Sequence, residues 1–206
     1  MELIYYPQKG YGILPIADPF VYDLSYFEEF ARRAKTKRGQ RLNSLRALFV
    51  REIVTDREGL VFVDCGVGSG AFIELAESML GVDFSGYDVA SNSIEWLYER
   101  ERWHQLSRDP CDVATFWDSL EHCQFPEAER LLRNVRHFAF ISMPIYENGD
   151  AIVHSKHFKP GEHILYFTER GLVGWMKDQG FELIARNRIE ESCGRDGIGT
   201  YAFVRP

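Results

Sequence analysis

The chain of 206 residues is long enough to bury one sizeable core, so we expect a single domain over residues 1 to 206. Hydrophobic residues make up 45% and charged residues 27%, close to globular averages, which excludes the disordered, collagen-like and repeat classes. The net charge of −7 disfavours non-specific nucleic-acid binding by the whole molecule, and the four scattered cysteines, without a CxxC pair, exclude a disulfide framework and a structural zinc site.

The N-terminal sequence has no basic start followed by a long apolar run, and no apolar segment approaches the ~18 residues that cross a bilayer. We therefore expect a cytoplasmic protein with no membrane partner. Residues 1 to 23 are rich in Tyr, Pro and Gly and are predicted to be irregular. Apolar residues at helical spacing then predict helices over residues 24 to 35 and 41 to 55, with the linker TKRGQ ending the first.

The two predicted helices carry a local excess of positive charge. Residues 31 to 51 contain eight Lys or Arg and no Asp or Glu. Charge runs are usually solvent-facing, so one interpretation is a solvated helix face or a contact with the acidic remainder of the chain. The other interpretation is a surface that faces an anion, and the sequence leaves both open.

From residue 60 onwards, short apolar runs alternate with amphipathic stretches. Strands are predicted over residues 60 to 65, 83 to 89, 111 to 118 and 137 to 145, and helices over residues 70 to 80, 92 to 103, 119 to 135 and 168 to 180. Strands rich in Val, Phe and Ile with little alternation, interleaved with helices, indicate a parallel sheet covered on both faces. The last two runs, joined by a short Gly-containing link, predict an antiparallel final strand.

The stretch VFVDCGVGSGAF, residues 61 to 72, joins the first of these strands to the first helix of the sheet. Glycines at positions 66, 68 and 70 allow the backbone to approach a ligand closely at the N-terminus of that helix. Asp88 ends the second strand, where an acidic side chain can bind ribose hydroxyls. Together these features predict a nucleoside site.

The type of nucleoside follows from two further features, because residues 66 to 71 also satisfy the loose dinucleotide pattern G-x-G-x-x-G/A. Asp64 stands just before the loop, where a negative charge suits an ammonium group and does not suit a pyrophosphate. The chain also lacks a second mononucleotide-binding half. Both features favour a nucleoside that is joined to an amino acid.

Three motifs resemble those of class I S-adenosylmethionine-dependent methyltransferases: V-D-x-G-x-G-x-G at residues 63 to 70, GYD at 86 to 88 and DVATFWDSLEH at 112 to 122. Within that class they are most similar to the bacterial and phage-associated group related to ubiquinone-biosynthesis O-methyltransferases. The resemblance implies a Rossmann-like three-layer α/β sandwich with a mostly parallel seven-stranded sheet and an antiparallel last strand. Residues 1 to 58 would form an N-terminal helical cap on a core of residues 59 to 206.

The resemblance also implies the cofactor S-adenosylmethionine, with S-adenosylhomocysteine as product, and a set of cofactor-binding residues: Asp64, Gly66, Gly68, Gly70, Asp88, Val89 and Trp117. The glycines would line the methionine part and Asp64 would hold its amino group through water. Asp88 would take the ribose hydroxyls, with Val89 against the adenine. Trp117 and Asp118 would lie near the sulfonium. Structural alternatives remain open: a tight turn for the glycines, helix capping for Asp88 and Asp118, and core packing for Trp117.

One part of the chain departs from the family pattern. Members of the family have a third strand that ends in an acidic residue for the adenine amino group, but here only RWHQLSRDP precedes the strand at residue 111. Asp109 is followed by Pro110 in a predicted turn and is a poor substitute. We therefore expect backbone groups to recognise the adenine.

Residues 146 to 168 are the predicted rim of the acceptor site and contain His154, His157 and His163. Histidine is the side chain best suited to removing a proton near neutral pH. The stretch H-F-x-P-x-E-H-x-x-x-F-T recurs in similar proteins and indicates that His163 is important, either for the structure of the loop through local hydrogen bonds or for the chemistry. His163 and Asp118 are the catalytic candidates. The three histidines lack the carboxylate pattern of a metal site apart from Glu162, so we predict no metal.

The predicted function is methyl transfer from S-adenosylmethionine to an oxygen of a small-molecule or other acceptor. The basic helices over the cleft favour an anionic acceptor, which leaves a phosphorylated or carboxylated metabolite, a glycan or a nucleic-acid end. Residues 142 to 146, SMPIY, only imitate the motif of amine methyltransferases, since they lie on the wrong strand and lack one proline. A non-catalytic nucleoside binder and a small NAD-dependent oxidoreductase are the alternatives, and the sequence does not define the oligomeric state.

Overall fold

The computed structural model describes residues 2–15 and 20–206. Nine strands form one sheet: β1 (Ile4–Tyr6), β2 (Tyr11–Ile13), β3 (Phe62–Cys65), β4 (Phe84–Tyr87), β5 (Cys111–Trp117), β6 (Val135–Tyr146), β7 (Leu165–Thr168), β8 (Glu182–Asn187) and β9 (Ile198–Val204). The helices are α1 (Leu24–Ala34), α2 (Lys37–Ile53), α3 (Ala71–Leu80), α4 (Ser91–Glu99), α5 (Phe125–Arg133), α6 (Gly149–Val153), α7 (Glu169–Asp178) and α8 (Ile189–Ser192), with a 3-10 turn over Leu120–His122.

Strands β4, β3, β5 and β6 lie side by side in that order and are parallel. The last strand, β9, pairs antiparallel with β6, and β8 pairs antiparallel with β9. Buried side chains of α2, α3, α4 and α8 form a hydrophobic cluster on one face of the sheet, while those of α5 and α7 belong to a cluster on the other. The predicted three-layer α/β sandwich with an antiparallel last strand is therefore confirmed.

In the described residues the sheet has nine strands and not the predicted seven, because residues 4 to 13 are neither irregular nor part of the predicted helical cap. Strands β1 and β2 form a hairpin whose turn includes Gly10 at a φ of 71°. The hairpin extends the sheet because β2 pairs antiparallel with β7, with Tyr11 opposite Phe167. Tyr and Ile suit a half-buried strand, and pairing with β7, more than 150 positions along the chain, decided their conformation. Residue 1 and residues 16 to 19 of the predicted irregular segment lie outside the described residues.

The break between the first two helices also differs from its prediction. Helix α2 begins at Lys37, so Gly39 lies in its first turn and does not end α1. Thr36 is the N-cap, and its Oγ1 accepts a hydrogen bond from the Gly39 N–H at 3.1 Å. This capping outweighs the weak helix propensity of glycine. A Cβ at position 39 would lie 2.3 Å from the Arg33 carbonyl oxygen, so the close approach of α1 requires glycine there.

The third strand of the family pattern is reduced to one parallel bridge between Gly86 and Trp103. The Gly86 N–H donates to the Arg102 carbonyl, and its own carbonyl accepts from the His104 N–H, both at 2.8 Å. The shortened segment noted in the sequence is thus still held to β4, but without forming a strand. No helix in the described residues is both long enough and apolar enough to cross a membrane.

Candidate functional site

A cleft of about 1180 Å³ opens at the carboxyl ends of β3, β4 and β5. The chain runs from β3 to β4 on one side and then returns to β5 on the other side of β3, so the cleft lies where the strand order reverses. Open α/β sheets bind their ligands at this position. Helices α1 and α2 and the residues before them supply the opposite wall.

The glycine loop between β3 and α3 forms one end of the cleft. Gly66, Gly68 and Gly70 all have positive φ angles, of 82°, 55° and 76°. A Cβ at Gly66 would lie 2.4 Å from the Cβ of Ser119, and one at Gly70 would lie 2.2 Å from the ring of Trp96. A Cβ at Gly68 would meet no atom of the described residues within 4 Å. Gly66 and Gly70 are therefore required by packing, whereas Gly68 borders open space in the cleft.

Asp88 connects the end of β4 to the glycine loop. Its carboxylate accepts hydrogen bonds from the backbone N–H groups of Gly68 at 3.0 Å, Val89 at 2.7 Å and Ala90 at 2.8 Å. Burial raises the pKa of Asp88, and these N–H groups act in the opposite direction. The bonds to Val89 and Ala90 precede α4, whose N-cap Ala90 has no side-chain cap hydrogen bond among the described residues, so Asp88 lines the cleft and does not cap the helix. Its contact with ribose hydroxyls remains a prediction. Val89 beside it is 61% exposed and lines the cleft.

Asp64 lines the floor of the cleft and is only 2% exposed. It accepts a hydrogen bond of 2.6 Å from the Thr115 hydroxyl on the neighbouring strand. Burial raises the pKa of Asp64 to about 7, although Thr115 and the charge of Arg46 favour the ionised form. A buried carboxylate of this kind would be stabilised by an ammonium group in the cleft.

Trp117, at the end of β5, both packs in the core and lines the cleft. Its ring contacts Phe72 edge-on, with the centroids 5.4 Å apart, and the guanidinium of Arg46 lies 5.1 Å from the ring centroid. Its indole Nε1 is buried and has no hydrogen-bond partner among the described residues. Trp117 therefore packs in the core, as the structural alternative predicted, and also lines the cleft, whereas its contact with the cofactor remains a prediction.

Asp118 follows Trp117 with a φ of 55° and belongs to an ion-pair network of four side chains. Arg46 and Arg195 each lie 2.8 Å from its Oδ2, and both also pair with the fully buried Glu190. Burial alone would raise the pKa of Asp118, but Arg195 and Arg46 hold it well below its usual range. A carboxylate held in this way is a poor proton acceptor, which argues against the predicted catalytic role. Its bonds go to the guanidinium groups and not to the turn that follows.

The three histidines of the predicted acceptor rim have different contacts, and His157 and His163 both line the cleft. His154 Nδ1 bonds the Asp150 carbonyl and His157 Nε2 bonds the Asp196 carbonyl, both at 2.8 Å. These backbone contacts give both side chains a role in local structure.

His163 instead lies with His122, and their ring centroids are 4.8 Å apart. It is 4% exposed, and burial, together with His122 nearby, lowers the pKa of His163 to about 3. Its ring is therefore neutral at neutral pH and a weak base. Glu121 adjoins both histidines. The residues SLEH belong to a motif of the predicted family, but neither Glu121 nor His122 was predicted as a site residue.

Two further parts of the cleft were missed. One is an aromatic wall, formed by Phe20, Tyr22, Tyr26 and Phe30, with ring centroids 4.4 to 5.7 Å apart. Tyr26 and Phe30 are spaced four apart on α1, which is a signal for a shared helix face. The other is Arg46, which stands four residues after Leu42 on the apolar stripe of α2, where a charge indicates a buried partner.

The segment that departs from the family pattern, before the strand at residue 111, contributes neither Asp109 nor Trp103 to the lining of the cleft. Asp109 is exposed and does not line the cleft. Trp103, at the bridge that replaces the third strand, stacks on Tyr98 with the ring planes 19° apart and is likewise outside the cleft lining. Recognition of the adenine by backbone groups remains a prediction.

Solved structures share this fold at low sequence identity. Magnesium protoporphyrin IX methyltransferase from Synechocystis PCC 6803, solved with S-adenosylhomocysteine, is 16% identical over 90% of this chain and 96% of that chain, with a TM-score of 0.60. A 1,6-didemethyltoxoflavin-N1-methyltransferase from Burkholderia thailandensis, also with S-adenosylhomocysteine, is 15% identical over 100% and 99%, with a TM-score of 0.57. The [4+2]-cyclase SpnF is 13% identical over 80% of both chains, with a TM-score of 0.56.

No curated protein matches the chain significantly. A family model described as a methyltransferase domain matches residues 30–186, which is more than half of the chain. The predicted methyltransferase is confirmed at this level, whereas the narrower likeness to the ubiquinone-biosynthesis group is not. The chain belongs to the methyltransferase-domain family.

Proposed function

We propose that the protein transfers a methyl group from S-adenosylmethionine to an oxygen of a small planar acceptor. The observation that carries this proposal is the arrangement of the cleft. The glycine loop, Asp64 and Asp88 lie at the ends of parallel strands, and the aromatic wall stands across the same cleft. Family membership supports methyl transfer, and the cleft supports where the two reactants would bind.

The residues at the strand ends fit a nucleoside joined to an amino acid. Gly68 leaves open space against which the methionine part would lie, and the buried carboxylate of Asp64 would receive its ammonium group. Three backbone bonds leave Asp88 one of its about four lone-pair sites for a ribose hydroxyl. Bound there, the cofactor supplies an electrophilic methyl group, and the protein's main task is to align the acceptor with it.

Oxygen is the preferred acceptor atom because a hydroxyl must lose its proton during methyl transfer. Two groups that can accept a proton, Glu121 and His122, line the cleft beside His163, which can orient an oxygen. His163 retains a role at the acceptor in this proposal, by orienting it, while Asp118 holds the ion-pair network.

The aromatic wall supports a planar acceptor, since offset and edge-on ring contacts stabilise aromatic ligands. The anionic acceptor expected from the basic segment has less support, because most cations of the cleft are already paired. Arg33 pairs with Glu29 and Lys159 with Glu162. Arg46 and Arg195 pair within the four-residue network described above. We therefore propose an acceptor with little net charge.

The cofactor proposal is tested by titrating the protein calorimetrically with S-adenosylmethionine, S-adenosylhomocysteine and NAD. We expect micromolar binding of the first two and a loss of about 10-fold to 100-fold in Asp88→Ala, because a hydrogen bond to a charged group contributes ~1.5–3 kcal/mol. Asp88→Asn keeps one acceptor for the backbone N–H groups and separates loss of ribose binding from loss of fold. Asp109→Ala, outside the cleft, is the matched control and should bind as the unaltered protein does.

Binding of NAD alone, or equal losses in the Asp88 and Asp109 variants, would contradict the cofactor proposal. Tight binding of S-adenosylmethionine with no methylation of any hydroxylated aromatic acceptor would instead favour the non-catalytic binder. The cyclase among the structural neighbours shows that this fold is not limited to proteins named as methyltransferases.

The acceptor proposal predicts that Tyr26→Ala raises the KM for a hydroxylated aromatic acceptor by about tenfold, since losing an aromatic contact costs ~0.5–1.5 kcal/mol beyond the lost area. Affinity for S-adenosylhomocysteine should not change. Tyr98→Ala is the control, because Tyr98 is 61% exposed and stacks on Trp103 outside the cleft. An unchanged KM in Tyr26→Ala would contradict the proposal that the acceptor binds against the aromatic wall.

A further inference from the structure

Three side chains that can ligate a metal meet at the acceptor end of the cleft. Glu121 and His122 lie in the 3-10 turn after β5, and His163 lies just before β7. The Ile164 N–H donates to the Glu121 carbonyl at 2.8 Å, which fixes the two segments against each other. One ligand atom from each of the three side chains lies within 4.8 Å of the other two.

The cluster holds buried polar atoms that lack partners. Glu121 is 1% exposed, and its Oε2 has no hydrogen-bond partner among the described residues. The Nδ1 of His163 is also buried and likewise has no hydrogen-bond partner within residues 2–15 and 20–206. Buried carboxylates are normally paired with a cation or coordinated to a metal, because an unpaired buried charge is costly. Glu121 Oε2 and His163 Nδ1 are therefore two buried polar atoms that a bound metal ion would satisfy.

The hydrogen bond of His122 sets which of its nitrogens is free. Its Nδ1 lies 3.0 Å from the Glu162 carbonyl oxygen. The Tyr22 hydroxyl oxygen also lies 3.0 Å from this Nδ1. The carbonyl only accepts hydrogen bonds, whereas the hydroxyl can accept as well as donate, so both contacts are satisfied when Nδ1 carries the proton and Nε2 keeps its lone pair. Histidines that bind metals commonly donate their other ring N–H to a backbone carbonyl in this way.

We propose that Glu121, His122 and His163 bind a divalent transition-metal cation. Two imidazoles and one carboxylate suit Zn²⁺, Co²⁺ or a similar ion, whereas Mg²⁺ and Ca²⁺ prefer oxygen ligands alone. Ligands ~2.1 Å from a tetrahedral zinc lie roughly 3.4 Å apart, so the three side chains need to close by little more than ~1 Å. Three protein ligands leave a further coordination position, as in catalytic sites and unlike structural ones.

The proposed site differs from the sequence-based prediction of no metal. That prediction considered His154, His157 and His163, of which only His163 belongs to the cluster. All three cluster residues line the cleft. The remaining coordination position would therefore be accessible to an oxygen of the acceptor, and the site does not depend on the proposed cofactor, whose predicted residues lie at the strand ends.

The test uses the full chain without a histidine tag, treated with EDTA and then desalted. Calorimetric titration with Zn²⁺ should give one bound ion per chain, and Mg²⁺ should give no binding. Glu121→Gln and His163→Ala should each weaken Zn²⁺ binding by more than tenfold. His154→Ala is the matched control, because His154 is exposed and bonds only the Asp150 carbonyl, and it should bind Zn²⁺ as the unaltered protein does.

Circular dichroism and the S-adenosylhomocysteine titration show whether each variant is folded, and Glu121→Gln changes the shape of the side chain least. Failure to bind Zn²⁺ stoichiometrically would overturn the proposal, as would unchanged binding in both cluster variants or an equal loss in His154→Ala. If the protein binds S-adenosylhomocysteine but no Zn²⁺, the proposed metal site is contradicted and the proposed cofactor is not. If the protein binds Zn²⁺ but no S-adenosylhomocysteine, the proposed metal site is supported and the proposed cofactor is contradicted.

Discussion

Arg46→Met is expected to lower the free energy of unfolding by about 3–5 kcal/mol, the usual cost of breaking a buried ion pair by removing one partner. Arg46 connects α2 to Glu190, which is fully buried, and to Asp118 at the end of β5. Its four-residue network, completed by Arg195, contains two positive and two negative groups. Removing Arg46 leaves one buried negative charge uncompensated. Urea denaturation with an unchanged m value would measure the loss.

Two further variants make this prediction specific. The double variant Arg46→Met/Glu190→Gln removes one charge of each sign, so it should be clearly more stable than the sum of its single variants predicts. Arg32→Met breaks the exposed pair with Glu29 and should give no resolvable change, because surface ion pairs contribute little. An Arg46→Met variant as stable as Arg32→Met would show that the network does not hold the N-terminal helices to the sheet.

Gly70→Ala is expected to destabilise the protein by about 3 kcal/mol or more. The left-handed backbone at position 70 costs an L-residue ~1–2 kcal/mol, and overpacking against a core side chain adds ~1–3 kcal/mol. The new Cβ would lie 2.2 Å from the ring of Trp96, a buried side chain of α4 that cannot turn aside as a flexible chain end would. Thermal unfolding should show a decrease in Tm of about 6–12 °C.

Gly68→Ala is the matched comparison within the same loop. Its Cβ would meet nothing within 4 Å among the described residues, so only the cost of the left-handed backbone, ~1–2 kcal/mol, applies. The added methyl group would occupy space proposed for the cofactor, and affinity for S-adenosylhomocysteine should fall about tenfold or more. Equal losses of stability in the two variants would rule out the Trp96 contact as the cause. Unchanged affinity of Gly68→Ala for S-adenosylhomocysteine would contradict the proposal that the cofactor lies against the glycine loop.

The glycine loop and the ion-pair network around Arg46 lie on opposite walls of one cleft. The glycine loop shapes the sheet side, while the network around Arg46 holds α2 on the other side. Because Asp118 belongs to that network and follows Trp117 directly, the position of α2 is tied to the end of β5. Stability of the N-terminal helices and the shape of the cleft are therefore connected through one set of ion pairs.

The sequence by itself determined those features that arise from local chain geometry. The alternation of apolar runs and amphipathic stretches predicted β3 to β6 and the helices between them, because strand and helix periodicities are set by neighbouring residues. The glycines of residues 66 to 70 and the acidic end of β4 likewise predicted where a cleft would open, since both features lie within short segments.

Only the tertiary structure decided the features that join distant segments. The hairpin of β1 and β2 exists as part of the sheet because β7 pairs with it, and Arg46 meets Glu190 across 144 positions of the chain. Glu121 and His163 meet because two separate loops converge at the end of β5. Burial then sets the chemistry of these groups: it raises the pKa of Asp64 and lowers that of His163, because desolvation disfavours the charged form of each. Such environments depend on contacts that no local pattern encodes.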